Sequence, residues 1–203
     1  MEHRREVRFL SQGVECAGWL YTPASAPPWP ALVMGHGFSA PRHDVLAPYA
    51  RLFQAAGLGV LVFDYRHFGD SQGKPRQVVD ISRQQQDFQA ALTYLRSLSD
   101  IDDQRLGLFG TSFSGGHVVC VAAQDPHVRA VVAQCPFSHG LPTLRAADPA
   151  NVGKGTLLGL ADRLLSKLRL GPFYLPAVGY PGDFAVMTAP EAKPGFDMLT
   201  GPG

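Results

Sequence analysis

The sequence predicts an α/β fold: a mostly parallel sheet with helices on both faces, behind an N-terminal hairpin. Short apolar runs end in glycine or polar turns at residues 31–35, 58–66, 105–110 and 128–136. Segments of helical periodicity stand between them, so strand and helix alternate from residue 31 to 136. Composition agrees, since 203 residues at 45% hydrophobic and 17% charged can bury a core.

"EVRFLSQGVECAGWLYTP" reads as the hairpin. Val7 and Phe9 alternate with polar residues, a Ser-Gln-Gly turn follows, and a second strand ends near Pro23. "ASAPPWP" is a Pro-rich connector, and "ALVMGHG" is a strand apolar enough to be buried on both faces. "DVLAPYARLFQAAG" supplies a helix capped by Asp44, with Leu46, Tyr49, Ala50 and Phe53 on one face and Gly57 at its end. "LGVLVFDYR" is the second buried strand. "VVDISRQQQDFQAALTYLRSL" is a helix with Ile81, Phe88, Leu92 and Leu95 on one stripe. "RLGLFG" is a third strand, "SGGHVVCVAAQ" a helix and "VRAVVAQCP" a fourth strand. Past Ser138 the alternation stops, leaving one helix, "TLLGLADRLLSKLRL", among Pro/Gly-rich segments. Residues 1–137 are therefore expected to form the α/β core, and residues 138–203 a lid-like helical and irregular segment.

Several functional classes fall away. Lys and Arg number 18 against 17 Asp and Glu, with no basic cluster to follow a phosphate backbone, so no nucleic-acid partner is expected. "MEHRREVR" leads into no apolar core and is no signal peptide. No apolar run reaches bilayer length, so no membrane partner is expected. Cys16, Cys120 and Cys135 are scattered and odd in number; they read as reduced, mostly buried thiols of a cytoplasmic protein. "DPANVGKGT" mimics a P-loop, but Asp148 stands at the first glycine position and Gly155 follows Lys154 where Ser or Thr is required. The histidines do not cluster as zinc ligands would, so neither a metal nor another cofactor is expected.

The chemistry concentrates in "RLGLFGTSFSGGHVVC". A nucleophilic serine between a strand and a helix needs a turn so tight that only small residues fit two places before and after it. Gly110 and Ser114 meet that demand around Ser112, and Gly115 and Gly116 let the helix approach the sheet. Ser114 suits the nucleophile role less well, because Ser112 precedes it where glycine is wanted; its expected place is the crowded corner of the turn. "MGHGFS" ends a strand that would lie beside this elbow. The N–H of Phe38, with that of Phe113, would make a two-donor oxyanion hole. His36 reads as a brace for its turn.

"GHGF", "VFDYRHFGDSQG" and "GTSFSGG", in this order, resemble the α/β-hydrolase superfamily over residues 5–137. The branch they most resemble is the serine-aminopeptidase-like and X-Pro-dipeptidyl-peptidase-like one. The resemblance implies an ester, thioester or amide hydrolase acting through an acyl-enzyme on Ser112, with a small-molecule acyl or peptide-like substrate. An acyltransferase or a non-catalytic binding module are the alternatives. Asp64, Arg66 and Ser71 would then brace a loop. The family's chain order is nucleophile, acid, histidine. After Ser112 come His117, His127 and His139, with Asp125, Asp148, Asp162, Asp183, Glu191 and Asp197. His117 is expected toward solvent or a neighbouring strand, and none of the set matches the family's acid or base. The resemblance thus implies a sequence truncated before those two residues and inactive by itself. Leu157, Leu160, Leu164 and Leu168 would pack inward in a lid, and an uncovered sheet edge would promote self-association. With Phe38, Phe113, Phe137 and Leu141, those leucines suggest an apolar acyl pocket.

Overall fold

The computed structural model describes residues 4–40, 42–168, 170 and 172–200. The chain packs as two units, Met1–Ser138 and His139–Gly203.

The first unit is built on one six-stranded sheet in the order β1-β2-β4-β3-β5-β6. Strands β1 (Arg4–Ser11) and β2 (Val14–Tyr21) form the expected hairpin around Gln12 and Gly13. Strand β2 continues antiparallel onto β4 (Gly59–Phe63). From there the sheet is parallel: β4 pairs with β3 (Trp29–Gly35), β3 with β5 (Ile101–Thr111), and β5 with β6 (Val128–Gln134).

Both sheet faces are covered, as continuous apolar strands require. On one face Val33, Leu61, Phe63 and Leu108 meet Phe88, Ala91, Leu92 and Leu95 of α2 (Ile81–Arg96) and Val118 and Val121 of α3 (Phe113–Gln124). On the other, Met34, Val60, Val62 and Phe109 meet Leu46 and Ala50 of α1 (Arg42–Ala55). Along β4 the side chains alternate between these two cores, as the two-residue period of a strand dictates.

Some boundaries differ from expectation. Helix α1 starts at Arg42, so Asp44 lies within its first turn; the Asp44 side chain is outside the described residues. Helix α2 is capped by Asp80, whose carboxylate accepts the Arg83 amide at 3.0 Å, and Ile81 sits off the buried stripe at 52% exposure. Of the cysteines only Cys16 is buried; Cys120 and Cys135 are exposed.

The second unit holds α4 (Gly140–Ala146), α5 (Pro149–Lys167) and α6 (Ala192–Thr200). The P-loop-like stretch is the start of α5, with Asp148 as its cap and Pro149 in its first turn. Helix α5 stops at Lys167; Arg169 in the expected helix is outside the described residues. Leu157, Leu160, Leu164 and Leu168 are 62–70% exposed, which corrects their expected inward packing. No helix among the described residues is long and apolar enough to cross a membrane.

Candidate active site

Ser112 occupies the single residue between β5 and α3, with φ 56° and ψ −116°. A residue with a Cβ rarely adopts that conformation, which costs about 1–3 kcal/mol and persists only where the surroundings enforce it. Main-chain bonds enforce it here. The Ser112 amide donates to Gln134 O (2.8 Å), and its carbonyl accepts from Gly115 N (3.0 Å) and Phe137 N (2.9 Å). Small neighbours are required. A Cβ on Gly110 would stand 2.2 Å from Ser114 O, and one on Gly115 would stand 2.9 Å from Pro136 Cα. The outcome is an exposed hydroxyl that makes no hydrogen bond with another described residue.

Ser114 points the other way. It is fully buried, its Oγ accepts from Thr111 N (2.9 Å) and donates to Gly35 O (2.7 Å), and it thereby ties the turn to the end of β3. The two serines thus separate by burial into one anchor and one free hydroxyl.

The end of β3 lies against Ser112. A Cβ on Gly37 would sit 3.3 Å from Ser112 Cβ and 3.7 Å from its Oγ. The Phe38 and Phe113 rings meet edge to face at 5.6 Å, so the residues expected to donate to an oxyanion are neighbours. Phe113 opens α3, where the first amides have no intrahelical partner. The Phe38 amide makes no backbone hydrogen bond with another described residue.

Beneath this surface is a buried polar layer. His36 has its Nδ1 3.0 Å from Gly37 O and its ring against Tyr65 (4.6 Å). Burial holds its pKa below the ordinary histidine value. His117, expected toward solvent or a neighbouring strand, is buried against Gln84 of the neighbouring helix α2. Its Nε2 donates to Gln84 Oε1 at 2.8 Å, and burial first, then the neighbouring His36, lowers its pKa to about 4. Both rings are therefore neutral near pH 7.

Loop bracing falls to Asp64, Arg66 and Ser71. The buried Asp64 carboxylate accepts from Arg42 N (2.7 Å), Asp70 N (3.0 Å) and the Arg42 guanidinium, tying the start of α1 to the loop after β4. Arg42 also reaches Asp70 at 2.8 Å and lies over the Trp19 ring at 4.6 Å. Ser71 Oγ donates to Asp64 O (2.6 Å) and accepts from Ala17 N (2.8 Å). Arg66 pairs with buried Asp87 at 2.5 Å. Sequence reasoning passed over Arg42, Gln84 and Asp87. The two polar residues on the apolar stripe of α2 were a signal, because a polar residue on a buried face needs a partner.

The other titratable groups have structural tasks. Among the described residues of Met1–Ser138, no histidine hydrogen-bonds Ser112, and the His127 amide bonds Asp125 before β6. Asp125 pairs with Arg96 (2.8 Å). In the second unit His139 caps α4, Asp148 caps α5, Asp162 accepts from Phe173 N, Asp183 from Tyr180 N, and Asp197 pairs with Lys193. No group of three His, Cys, Asp or Glu among the described residues is placed to hold a metal ion.

Comparison with known proteins bears on this geometry. The model of the X-Pro dipeptidyl-peptidase (S15 family) matches residues 12–146. The chain is 42% identical over 194 residues to the quorum-quenching protein AidA of Acinetobacter baumannii, covering 96% of this chain and 64% of that protein. It is 42% identical over 133 residues to thiohydrolase aneE of Aspergillus aculeatus, covering 65% of this chain and 41% of that one. The crystal structure of the α/β hydrolase GrgF from Penicillium sp. sh18 superposes with a TM-score of 0.77 at 29% identity, over 89% of this chain and 60% of its own. The chain thus spans less than two thirds of the length of these relatives.

Proposed function

This chain belongs to the X-Pro dipeptidyl-peptidase (S15) family of the α/β-hydrolase superfamily, and we propose that Ser112 is its nucleophile toward an ester, thioester or amide carbonyl. One observation carries the reading: a positive-φ serine whose hydroxyl stands exposed between strand and helix, with no hydrogen bond to another described residue.

In the proposed reaction, Ser112 Oγ adds to the carbonyl carbon while its proton passes to a base. The carbonyl oxygen gains negative charge beside the Phe38 and Phe113 amides, whose N–H groups would stabilise it as an oxyanion hole. Collapse breaks the bond to the alcohol, thiol or amine, which takes that proton back from the base, and leaves an acyl-serine, which water opens by the same route. The thiohydrolase relative supports this class of reaction. Because no described histidine of this unit bonds Ser112, the 203-residue chain is expected to react slowly. A second reading, a non-catalytic binding module, draws support from the structural tasks that the histidines and carboxylates perform. Self-association belongs to either reading. Strand β6 is the edge of the sheet opposite β1, with Val131 39% and Val132 45% exposed. Sedimentation should show association rising with concentration, and Val132→Lys should reduce it.

The test of the nucleophile is prolonged incubation with an excess of a fluorophosphonate, followed by peptide mapping. An adduct on Ser112 that vanishes in Ser112→Ala is expected. A label that persists in the alanine variant, or no adduct on Ser112 at all, overturns the assignment and leaves the binding module.

A further inference from the structure

We propose that Phe38, Phe113 and Phe137 form an aromatic wall that seats a flat, uncharged, π-rich acyl group beside Ser112; the inference rests on the Ser112 reading and names its substrate class.

Phe137 is not on a loose connector. Its amide donates to the carbonyl of Ser112 itself at 2.9 Å. Its carbonyl passes over α3 where a Cβ on Gly116 would stand 2.2 Å away, so only glycine admits this path. The chain leaving β6 is thereby fastened at Ser112, and its ring is set against Phe113 at 5.5 Å and 43°. Phe113 in turn meets Phe38 at 5.6 Å and 83° and His117 at 4.8 Å and 74°. The array borders the one hydroxyl that the turn pushes into solvent.

Its exposure points to a ligand. Phe137 is 37% exposed, while Phe38 and Phe113 are half-buried, so all three residues around Ser112 keep some surface in water. An acyl group bonded to Ser112 would remove that surface from water. Ring orientation sets the preference further. Phenylalanines inclined at 43° and 83° offer both faces and edges, and a flat π system can meet them offset-stacked and edge-to-face together. A saturated ring of equal size gains only contact area. The ring behind Phe113 is a histidine that burial keeps neutral near pH 7, so the wall offers no charge to a charged acyl group.

Ligand-observed NMR on the 203-residue chain with 3-phenylpropanoate and 3-cyclohexylpropanoate tests this. The carboxylate stands in for the oxyanion, and the two acids share chain length and ring size but differ in flatness and π character. The phenyl acid is expected to bind roughly three- to tenfold tighter, against its lower hydrophobicity. Phe137→Leu, which keeps apolar bulk, should erase the preference, and Leu10→Ala, an exposed side chain of β1 at the other edge of the same sheet, should leave it. Equal affinities, no binding of either acid, or a preference that survives Phe137→Leu overturns the wall. The two claims fail separately. A Ser112 adduct with equal affinities sinks the wall alone; a phenyl preference lost in Phe137→Leu with no Ser112 adduct sinks the nucleophile and keeps the wall as a binding site.

Discussion

Helices α2 and α5 both carry apolar residues at helical spacing, yet α2 buries Phe88, Ala91, Leu92 and Leu95 completely, while Leu157, Leu160 and Leu164 of α5 are 62–70% exposed. Helical periodicity therefore specifies a face and not its burial. The stripe on α2 meets side chains of β3, β4 and β5 that alternate onto the same sheet face. None of the 19 residues of α5 is buried. The polar groups divide in the same way. Asp64 and Asp87 in the first unit are fully buried and ion-paired, whereas in the second Asp183 accepts from exposed Tyr180 and Asp197 pairs with half-buried Lys193.

The sharpest way to break this contrast is to remove one member of a buried pair. Asp64→Ala would leave the Arg42 guanidinium buried without its main partner, and a loss of about 3–5 kcal/mol is expected from urea unfolding. Leu92→Ala in α2 should cost about 2–5 kcal/mol through the cavity it leaves. Asp183→Ala, on the exposed side of the comparison, should move the midpoint far less. Equal effects at Asp64 and Asp183 would erase the distinction between the units.

Acid should weaken the first unit in a defined window. His117 has a folded pKa of about 4 against an ordinary 6.5, and burial lowers His36 in the same direction. As pH falls through 6.5, the unfolded chain takes up protons that the folded chain refuses until about 4. Stability is therefore fully present above the ordinary value and falls across that window, with the His117 share capped at about 3 kcal/mol. Asp87 opposes this, because burial raises its pKa and protonation relieves a buried charge. Urea midpoints between pH 7.5 and 4 should fall for the parent chain, and His117→Gln should flatten the fall. An unchanged slope would mean that His117 is not held neutral.

The alternation of strands and helices was legible because each element announces itself within a few residues: the glycines closing β3, the stripe on α2 and Gly57 after α1, where φ is +90°. The turn at Ser112 was legible for the same reason, since Gly110, Ser114 and Gly115 are local demands of one backbone geometry. The bracing partners were not, because they join residues distant in sequence. Nothing near Arg42 points to Asp64, 22 positions away, and nothing near His117 points to Gln84, 33 positions away. His117 was misplaced because a histidine on a helix leaves its face undecided until the neighbouring helix is known. The exposure of the α5 leucines was not legible for the reason the two helices illustrate: an apolar pattern does not carry its partner with it.

The smallest expected effect probes that last point. If Leu160 and Leu164 are exposed as observed, Leu160→Ser and Leu164→Ser should each alter stability by no more than about 0.5 kcal/mol, the range of ordinary surface substitutions. Were α5 instead folded onto a core in solution, each change would remove a buried leucine and add a hydroxyl there, costing several times as much. The helix itself should tolerate serine at modest cost, since the two residues differ by about half a kcal/mol or less in propensity. Far-ultraviolet circular dichroism with urea titration of each variant reads both quantities at once. A large drop in midpoint with helical signal retained would show that the stripe has a partner after all, and the contrast between α2 and α5 would then be one of degree.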